Sequence, residues 1–165
     1  WWDSQERHVA VWVEKDALSS LFQPICREWG IPLVVGRGFA SIPLMWRAKV
    51  TLDEKTLVFY FGDHDPSGLN IQDVLGPWVP LEFERVAVTY EQAETRPFIP
   101  VNMGDPRAPA YVEEFGDRRW ELEVLSPKEL EDLLNEAIRS HCDEAELKRR
   151  QEEDADIRDR MEVTY

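Results

Sequence analysis

Short apolar runs that alternate with segments of helical spacing constrain the fold of this chain more than any other feature. The runs predict strands over residues 8–13, 33–35, 57–61 and 84–89. Between the first two, apolar residues recur at helical spacing over residues 17–29. Strands that alternate with helices form a parallel sheet that is covered by helices on both faces. The sequence therefore predicts an α/β fold around a parallel four-stranded sheet.

The C-terminal half is predicted to be an extension that packs on the same domain. Residues 91–118 are rich in proline and predict an irregular segment. Residues 120–125 alternate polar and apolar side chains, which is typical of an added strand. A capping box at residues 126–129 begins a helix that becomes long and highly charged. We therefore expect a core over residues 1–90 and an extension over residues 91–165.

Composition limits the classes of protein to which the chain can belong. Its 165 residues suffice for one domain with a sizeable core. No apolar run is long enough to cross a membrane, and the two isolated cysteines are typical of reduced thiols in a cytoplasmic protein. A net charge of −14 opposes binding to a polyanion. The chain begins with Trp1 and Trp2 instead of Met, so we expect it to be part of a longer protein.

A turn that contains two carboxylates follows the third predicted strand. Asp63 and Asp65 stand two residues apart, and Pro66 and Gly68 allow the chain to turn there. Carboxylates that converge at the end of a buried strand suit Mg²⁺ or Mn²⁺, which prefer oxygen ligands. The other interpretation is an acidic turn that only caps the next helix. His64 is predicted to point away from both carboxylates and to play no part in metal binding.

Glu14 stands at the end of the first predicted strand. Because catalytic groups gather at the carboxyl ends of parallel strands, we expect Glu14 and the pair Asp63 and Asp65 at one edge of the sheet. Three carboxylates in one place repel one another unless a cation neutralises them. Glu14 could instead cap the first helix, where the helix dipole favours a negative charge. The combination of the two motifs favours a metal site.

The order of these motifs resembles the Toprim domain, the metal-binding domain of topoisomerases, DnaG-type primases and OLD-family nucleases. In that pattern one strand ends in Glu, a second leads into a Gly-containing turn, and a third ends in Asp-x-Asp-x-x-Gly. Residues 63–68, with Pro after the second Asp, look most like the topoisomerase VI A subunit, the meiotic double-strand-break enzyme and the Toprim nuclease of Wadjet plasmid defence. Residues 35–39 resemble the Gly-rich turn of that group, and the resemblance covers roughly residues 8–90. Residues 120–127 are similar to a stretch in uncharacterised phage and actinobacterial Toprim-like proteins.

The resemblance implies a Rossmann-like Toprim fold and Mg²⁺- or Mn²⁺-dependent cleavage of DNA. It makes Asp63 and Asp65 metal ligands and Glu14 a metal ligand or a general acid/base. The attacking group stays open. Metal-bound water would make the protein a hydrolytic nuclease, whereas a Tyr on a separate winged-helix domain would make it a topoisomerase. A Toprim-like interaction module without catalysis is a further alternative.

Four more residues near the predicted site are candidates for binding DNA or metal. Arg37 is expected to contact phosphate or to form a salt bridge, and Lys15 is expected to bind DNA or to lie on the surface. Glu121 and Glu123 share one face of the predicted added strand, where they extend the metal site or form salt bridges. Because the chain is so acidic, we expect an N-terminal domain or a partner subunit to supply most of the DNA binding.

Overall fold

A parallel four-stranded sheet organises the chain, as the sequence predicts. A computed structural model describes residues 2–36, 55–70 and 81–162. Within these residues the strands are β1 (His8–Val13), β2 (Leu33–Val35), β3 (Thr56–Phe61) and β4 (Glu82–Ala87). Their order in the sheet is β2-β1-β3-β4, and every neighbouring pair is parallel. The central strands β1 and β3 therefore end side by side, with Val13 opposite Phe61.

The central strands are buried on both faces. In β1, Val9, Val11 and Val13 belong to one hydrophobic core, and the intervening Ala10 and Trp12 are buried on the opposite face. All six residues of β3 are buried. Strands buried on both faces need apolar side chains at every position, which accounts for the continuous apolar runs in the sequence.

The described residues also form five α-helices. These are α1 (Ser19–Trp29), α2 (Tyr90–Ala93), α3 (Ala108–Phe115), α4 (Pro127–Ser140) and α5 (Glu144–Glu162). A short 3-10 helix precedes α1, and Gly30 ends α1 in the left-handed conformation with φ 65°. Helices α1 and α4 contact each other, and Phe22 and Leu134 join the same core as β1 and β3. Both halves of the sequence therefore contribute to one core.

The prediction of an added strand over residues 120–125 is wrong. Only an isolated antiparallel bridge between Trp120 and His64 forms there, and a 3-10 helix follows over Leu122–Val124. The alternation that predicted a strand arises because Trp120 and Leu122 are both buried in the core. The N–H of Leu122 donates to the Asp63 carboxylate at 2.7 Å, so it is not available for a strand ladder.

Three other predictions in the C-terminal half need correction. The segment predicted to be irregular, residues 91–118, contains α3 and most of α2, and Thr89 and Gln92 begin α2 with a capping box. Strand β4 spans Glu82–Ala87 and so begins and ends two residues earlier than predicted. It ends earlier because Thr89 caps the following helix. The predicted long helix is divided, since α4 ends at Ser140 and α5 begins at Glu144.

Helix α5 is the long charged helix that the sequence predicts. Leu147 is buried against the core, whereas the described side chains from Glu152 onward are exposed. Arg149 forms ion pairs with Glu146 and Glu153 along the same helix. None of the helices in the described ranges is long and apolar enough to span a membrane. The sequence also predicts a helix with Ser41 as its cap and another that runs from Ser67 toward Leu75. The first, and most of the second, lie outside the described ranges.

Candidate metal site at the sheet edge

Glu14 and the Asp63 turn meet at the carboxyl ends of β1 and β3. The Glu14 N–H donates to the Phe61 carbonyl at 2.9 Å, which extends the pairing of the two strands by one residue. In return, the Asp63 N–H donates to Glu14 Oε2 at 3.1 Å. Two residues from separate parts of the sequence are therefore joined at one edge of the sheet. The geometry follows from the parallel register, because β1 and β3 are adjacent and end at the same level.

Tyr60 is a further residue of this edge that the sequence interpretation missed. Its hydroxyl donates to Glu14 Oε2 at 3.0 Å, and the side chain is buried. Burial and the adjacent Glu14 carboxylate raise the pKa of Tyr60 well above its usual range, so the hydroxyl keeps its proton. A Cβ on Gly62 would lie 2.2 Å from the Tyr60 hydroxyl oxygen and 2.7 Å from Glu14 Oε2. The close approach of Tyr60 to Glu14 therefore requires glycine at position 62.

The Asp63 carboxylate is buried, with 9% of the residue exposed. Its Oδ1 accepts a hydrogen bond from the Leu122 N–H at 2.7 Å and lies 3.3 Å from Lys15 Nζ. Burial raises the pKa of Asp63 to about 6, even though the Leu122 N–H and the Lys15 ammonium both favour the charged form. An ionised Asp63 is thus costly at neutral pH, and a further cation nearby would stabilise it.

Lys15 lies among three carboxylates. Besides Asp63, its Nζ lies 2.5 Å from Glu123 and 3.5 Å from Glu121. Burial disfavours the Lys15 ammonium, but Glu123 and Asp63 outweigh it and raise the pKa of Lys15. The sequence allowed Glu121 and Glu123 either to extend the metal site or to form salt bridges. In the structure both form salt bridges with Lys15. Lys15 itself is engaged with the carboxylates in this structure, so it is more than a surface residue.

Asp65 closes the turn that carries Asp63. Its Oδ1 accepts a hydrogen bond from the Gly68 N–H at 2.6 Å, which is the capping role that the sequence allowed as an alternative. The remaining oxygens of the three carboxylates, Glu14 Oε1, Asp63 Oδ2 and Asp65 Oδ2, accept no hydrogen bond from the part of the chain that the structure describes. Among the same residues, no group of three or more His, Cys, Asp or Glu side chains is arranged to hold a metal ion. The carboxylate oxygens of Glu14, Asp63 and Asp65 are the type of ligand that Mg²⁺ prefers. In this structure, however, the three side chains are not arranged as a coordination shell.

His64 is buried in a cluster of aromatic side chains. It is 2% exposed, and its Nδ1 lies 2.7 Å from the Tyr111 hydroxyl. Its ring packs against the rings of Tyr90, Phe115 and Trp120. Burial lowers the pKa of His64 to about 4, so the ring is neutral at physiological pH. This arrangement supports a structural role in which His64 fixes the turn to the segment around Trp120.

Comparisons with known proteins identify no relative of this chain. A scan against protein-family models, a search of the curated proteins and a search of the solved structures each give no match to this chain. The resemblance to the Toprim domain therefore rests on the motif residues, of which the structure describes Glu14, Asp63, Asp65 and Gly68. Arg37, in the Gly-rich turn, lies outside the described residues.

The buried charge of Asp63 makes the stability of the metal-free protein depend on pH. The pKa of Asp63 is about 6 in the folded protein, above its ordinary value of 3.8. The preference of the fold for the protonated carboxyl therefore stabilises the protein fully below pH 3.8, and this stabilisation is lost as pH rises through about 6. Between pH 4 and pH 8, wild type should lose on the order of 3 kcal/mol of unfolding free energy relative to Asp63→Asn. Urea unfolding in the presence of chelator measures this difference.

Asp132→Asn is the matched control for this experiment. Asp132 lies on α4 and pairs with Lys128 on an exposed helix face, so its pH profile should run parallel to that of wild type. A difference between wild type and Asp63→Asn that is the same at both pH values would contradict the argument.

Proposed function

We propose that this chain is a Toprim-like domain that binds Mg²⁺ or Mn²⁺ and cleaves the phosphodiester backbone of DNA. The observation that carries the proposal is the hydrogen bond from the Asp63 N–H to the Glu14 carboxylate, at the carboxyl ends of adjacent parallel strands. Ligand and catalytic sites of open α/β sheets lie at such ends. Two of the motifs that resemble the Toprim pattern, the strand end at Glu14 and the turn at Asp63, thus come from neighbouring strands.

Glu14, Asp63 and Asp65 would hold the ion. When bound, the ion would supply positive charge to the phosphodiester and to its leaving oxygen. The chain itself orients Glu14, because the Tyr60 hydroxyl and the Asp63 N–H both donate to Oε2. Oε1 of Glu14 accepts no hydrogen bond within the described ranges, so it is the oxygen available to hold a proton or to face the ion.

Among the tyrosines that the structure describes, the environments do not favour nucleophilic attack. Tyr60 is buried, and burial and the adjacent Glu14 raise its pKa, so its hydroxyl stays protonated. The Tyr111 hydroxyl donates to carbonyls and contacts His64, and the Tyr90 hydroxyl accepts from Arg118. These contacts support hydrolysis by water as the reaction of this domain. Attack by a tyrosine from another domain, as in the topoisomerase VI group, is the alternative.

A second candidate function is a Toprim-like interaction module without catalysis. The observation in its favour is Lys15, whose ammonium lies against Asp63 and Glu123. A lysine in this position neutralises part of the acidic edge without a metal ion. The two candidates differ in one measurable property, because only the catalytic domain needs to bind a divalent cation.

Calorimetric titration with Mn²⁺ tests the proposal. We expect wild type to bind Mn²⁺ and the double variant Asp63→Asn with Asp65→Asn to bind at least tenfold more weakly. Asparagine keeps an oxygen that can accept from the Leu122 and Gly68 N–H groups, so the turn is retained while the charge of the site is lost. The exposed Asp132→Asn should bind like wild type.

Two results would decide against the metal site. Equal Mn²⁺ affinity of wild type and the double variant would remove Asp63 and Asp65 from it. Absence of Mn²⁺ binding by wild type would favour the interaction module.

A further inference from the structure

We infer that Arg85 is the positioning residue of the site, which fixes the Asp63 turn and, through Tyr60, the Glu14 carboxylate. This inference rests on the proposed function, because the position of these carboxylates matters for metal binding. Arg85 lies on β4, next to β3 in the sheet. No motif in the sequence marks it, and its side chain does not itself offer a ligand to a cation.

The Arg85 guanidinium binds main-chain carbonyls at both ends of the turn. Nη1 donates to the carbonyl oxygens of Gly62 and Asp63 at 3.1 and 3.2 Å, and Nη2 donates to that of Gly68 at 2.5 Å. Nη1 also lies 3.2 Å from the carbonyl oxygen of Val88, just beyond the end of β4, so its two N–H groups are shared among three acceptors. The start and the end of the turn are therefore attached to one planar group, which is anchored in the sheet.

The same guanidinium also orients the tyrosine that contacts Glu14. Its central carbon lies 4.8 Å from the centroid of the Tyr60 ring, within the range of a cation–π interaction. The Tyr60 hydroxyl in turn donates to Glu14 Oε2. Both carboxylate-bearing segments, the one after β1 and the one after β3, therefore depend on the position of Arg85.

Geometry, and not charge alone, explains why arginine occupies this position. A guanidinium presents five N–H donors in a fixed plane, whereas a lysine ammonium presents three donors on a flexible chain. The donors of a guanidinium can therefore reach four carbonyl oxygens around it, as those of Arg85 do here. The variant Arg85→Lys keeps the positive charge and removes the planar set of donors, so it separates the two contributions.

Mn²⁺ affinity of Arg85→Lys tests the inference. We expect calorimetry to show binding at least fivefold weaker than wild type, because the turn that carries Asp63 and Asp65 loses its common anchor. Arg7→Lys is the control for the substitution itself, since Arg7 forms an exposed ion pair with Glu82 at the start of the same strand. Its affinity should equal that of wild type.

A second control separates positioning from general loss of stability. Val86→Ala shortens a core side chain next to Arg85 in β4, so it should lower the melting temperature and leave Mn²⁺ affinity unchanged. A positioning role requires that Arg85→Lys lowers affinity more than Val86→Ala does. Equal affinities of wild type and Arg85→Lys would overturn the inference, and so would an equal loss of affinity in Val86→Ala and Arg85→Lys.

The outcomes for this inference and for the proposed function can be told apart. If wild type binds no Mn²⁺, the proposed function fails and the inference fails with it. If wild type binds and Arg85→Lys binds equally well, only the inference fails. Should Arg85→Lys lose the native circular dichroism spectrum, Tyr60→Phe replaces it. That variant removes only the hydroxyl that orients Glu14, and it should bind Mn²⁺ two- to threefold more weakly, whereas unchanged affinity would overturn the inference.

Discussion

In the presence of the domain or partner subunit that we expect to supply DNA binding, Glu14→Gln should lower metal-dependent cleavage of plasmid DNA at least a hundredfold. The glutamine amide oxygen can still accept the hydrogen bonds of the Tyr60 hydroxyl and the Asp63 N–H, so the edge of the sheet keeps its shape. An amide, however, can neither transfer a proton at neutral pH nor supply the negative charge that a divalent ion requires. Losses of roughly 10²- to 10⁴-fold are typical when a general acid/base is removed. Time courses of supercoiled plasmid nicking, with Mg²⁺ and with Mn²⁺, measure the effect.

Glu113→Gln is the matched control for this experiment. Glu113 is an exposed residue of α3, and the Glu113→Gln variant should cleave at the wild-type rate. Circular dichroism of both variants confirms that the fold is retained. Cleavage by Glu14→Gln at the wild-type rate would exclude Glu14 from the chemistry and would leave it the structural role of binding the Tyr60 hydroxyl and the Asp63 N–H.

Gly68→Ala should destabilise the protein by about 1–3 kcal/mol, the usual cost of an added methyl group in a closely packed place. A Cβ at this position would lie 2.2 Å from the Asp63 carbonyl oxygen. That carbonyl accepts from Arg85, and the Gly68 N–H is bound to the Asp65 carboxylate, so neither side can move without losing a hydrogen bond. Urea unfolding of the metal-free protein measures the change.

Gly104→Ala provides the comparison. A Cβ at Gly104 would meet the Asn102 side chain at 3.1 Å, and that side chain can turn away with the loss of one exposed hydrogen bond, from the Gly104 N–H. Its effect on the free energy of unfolding should therefore be much smaller than that of Gly68→Ala. If the two variants had the same free energy of unfolding, the turn would have room for a Cβ at position 68, contrary to what the 2.2 Å contact indicates.

Elements dictated by local periodicity could be predicted from the sequence. Strand β1 and strand β2 have the predicted bounds, because continuous apolar runs and flanking turn residues leave few alternatives. Helix α1 ends at the predicted Gly30, whose left-handed conformation is a common helix end. The expected meeting of Glu14 with the Asp63 turn follows from the parallel order of strands, which is itself a consequence of alternating strands and helices.

Contacts between distant parts of the chain could not be predicted in this way. Arg85 is one charged residue in a predicted strand, and only the three-dimensional structure shows that it binds carbonyls of the Asp63 turn. The pairing of Lys15 with Glu123 joins residues that are 108 positions apart. The alternation over residues 120–125 was misleading for the same reason, since Leu122 bonds to Asp63 instead of to a neighbouring strand.

Lys15 neutralises part of the acidic edge of the sheet from within the chain. Its ammonium lies 2.5 Å from Glu123 and 3.3 Å from Asp63, so a tethered counter-ion is present whenever the chain is folded. We therefore expect the fold to persist in the presence of chelator. In that case the lysine contributes to the stability of the fold, and the cation that we propose would be needed for the chemistry alone.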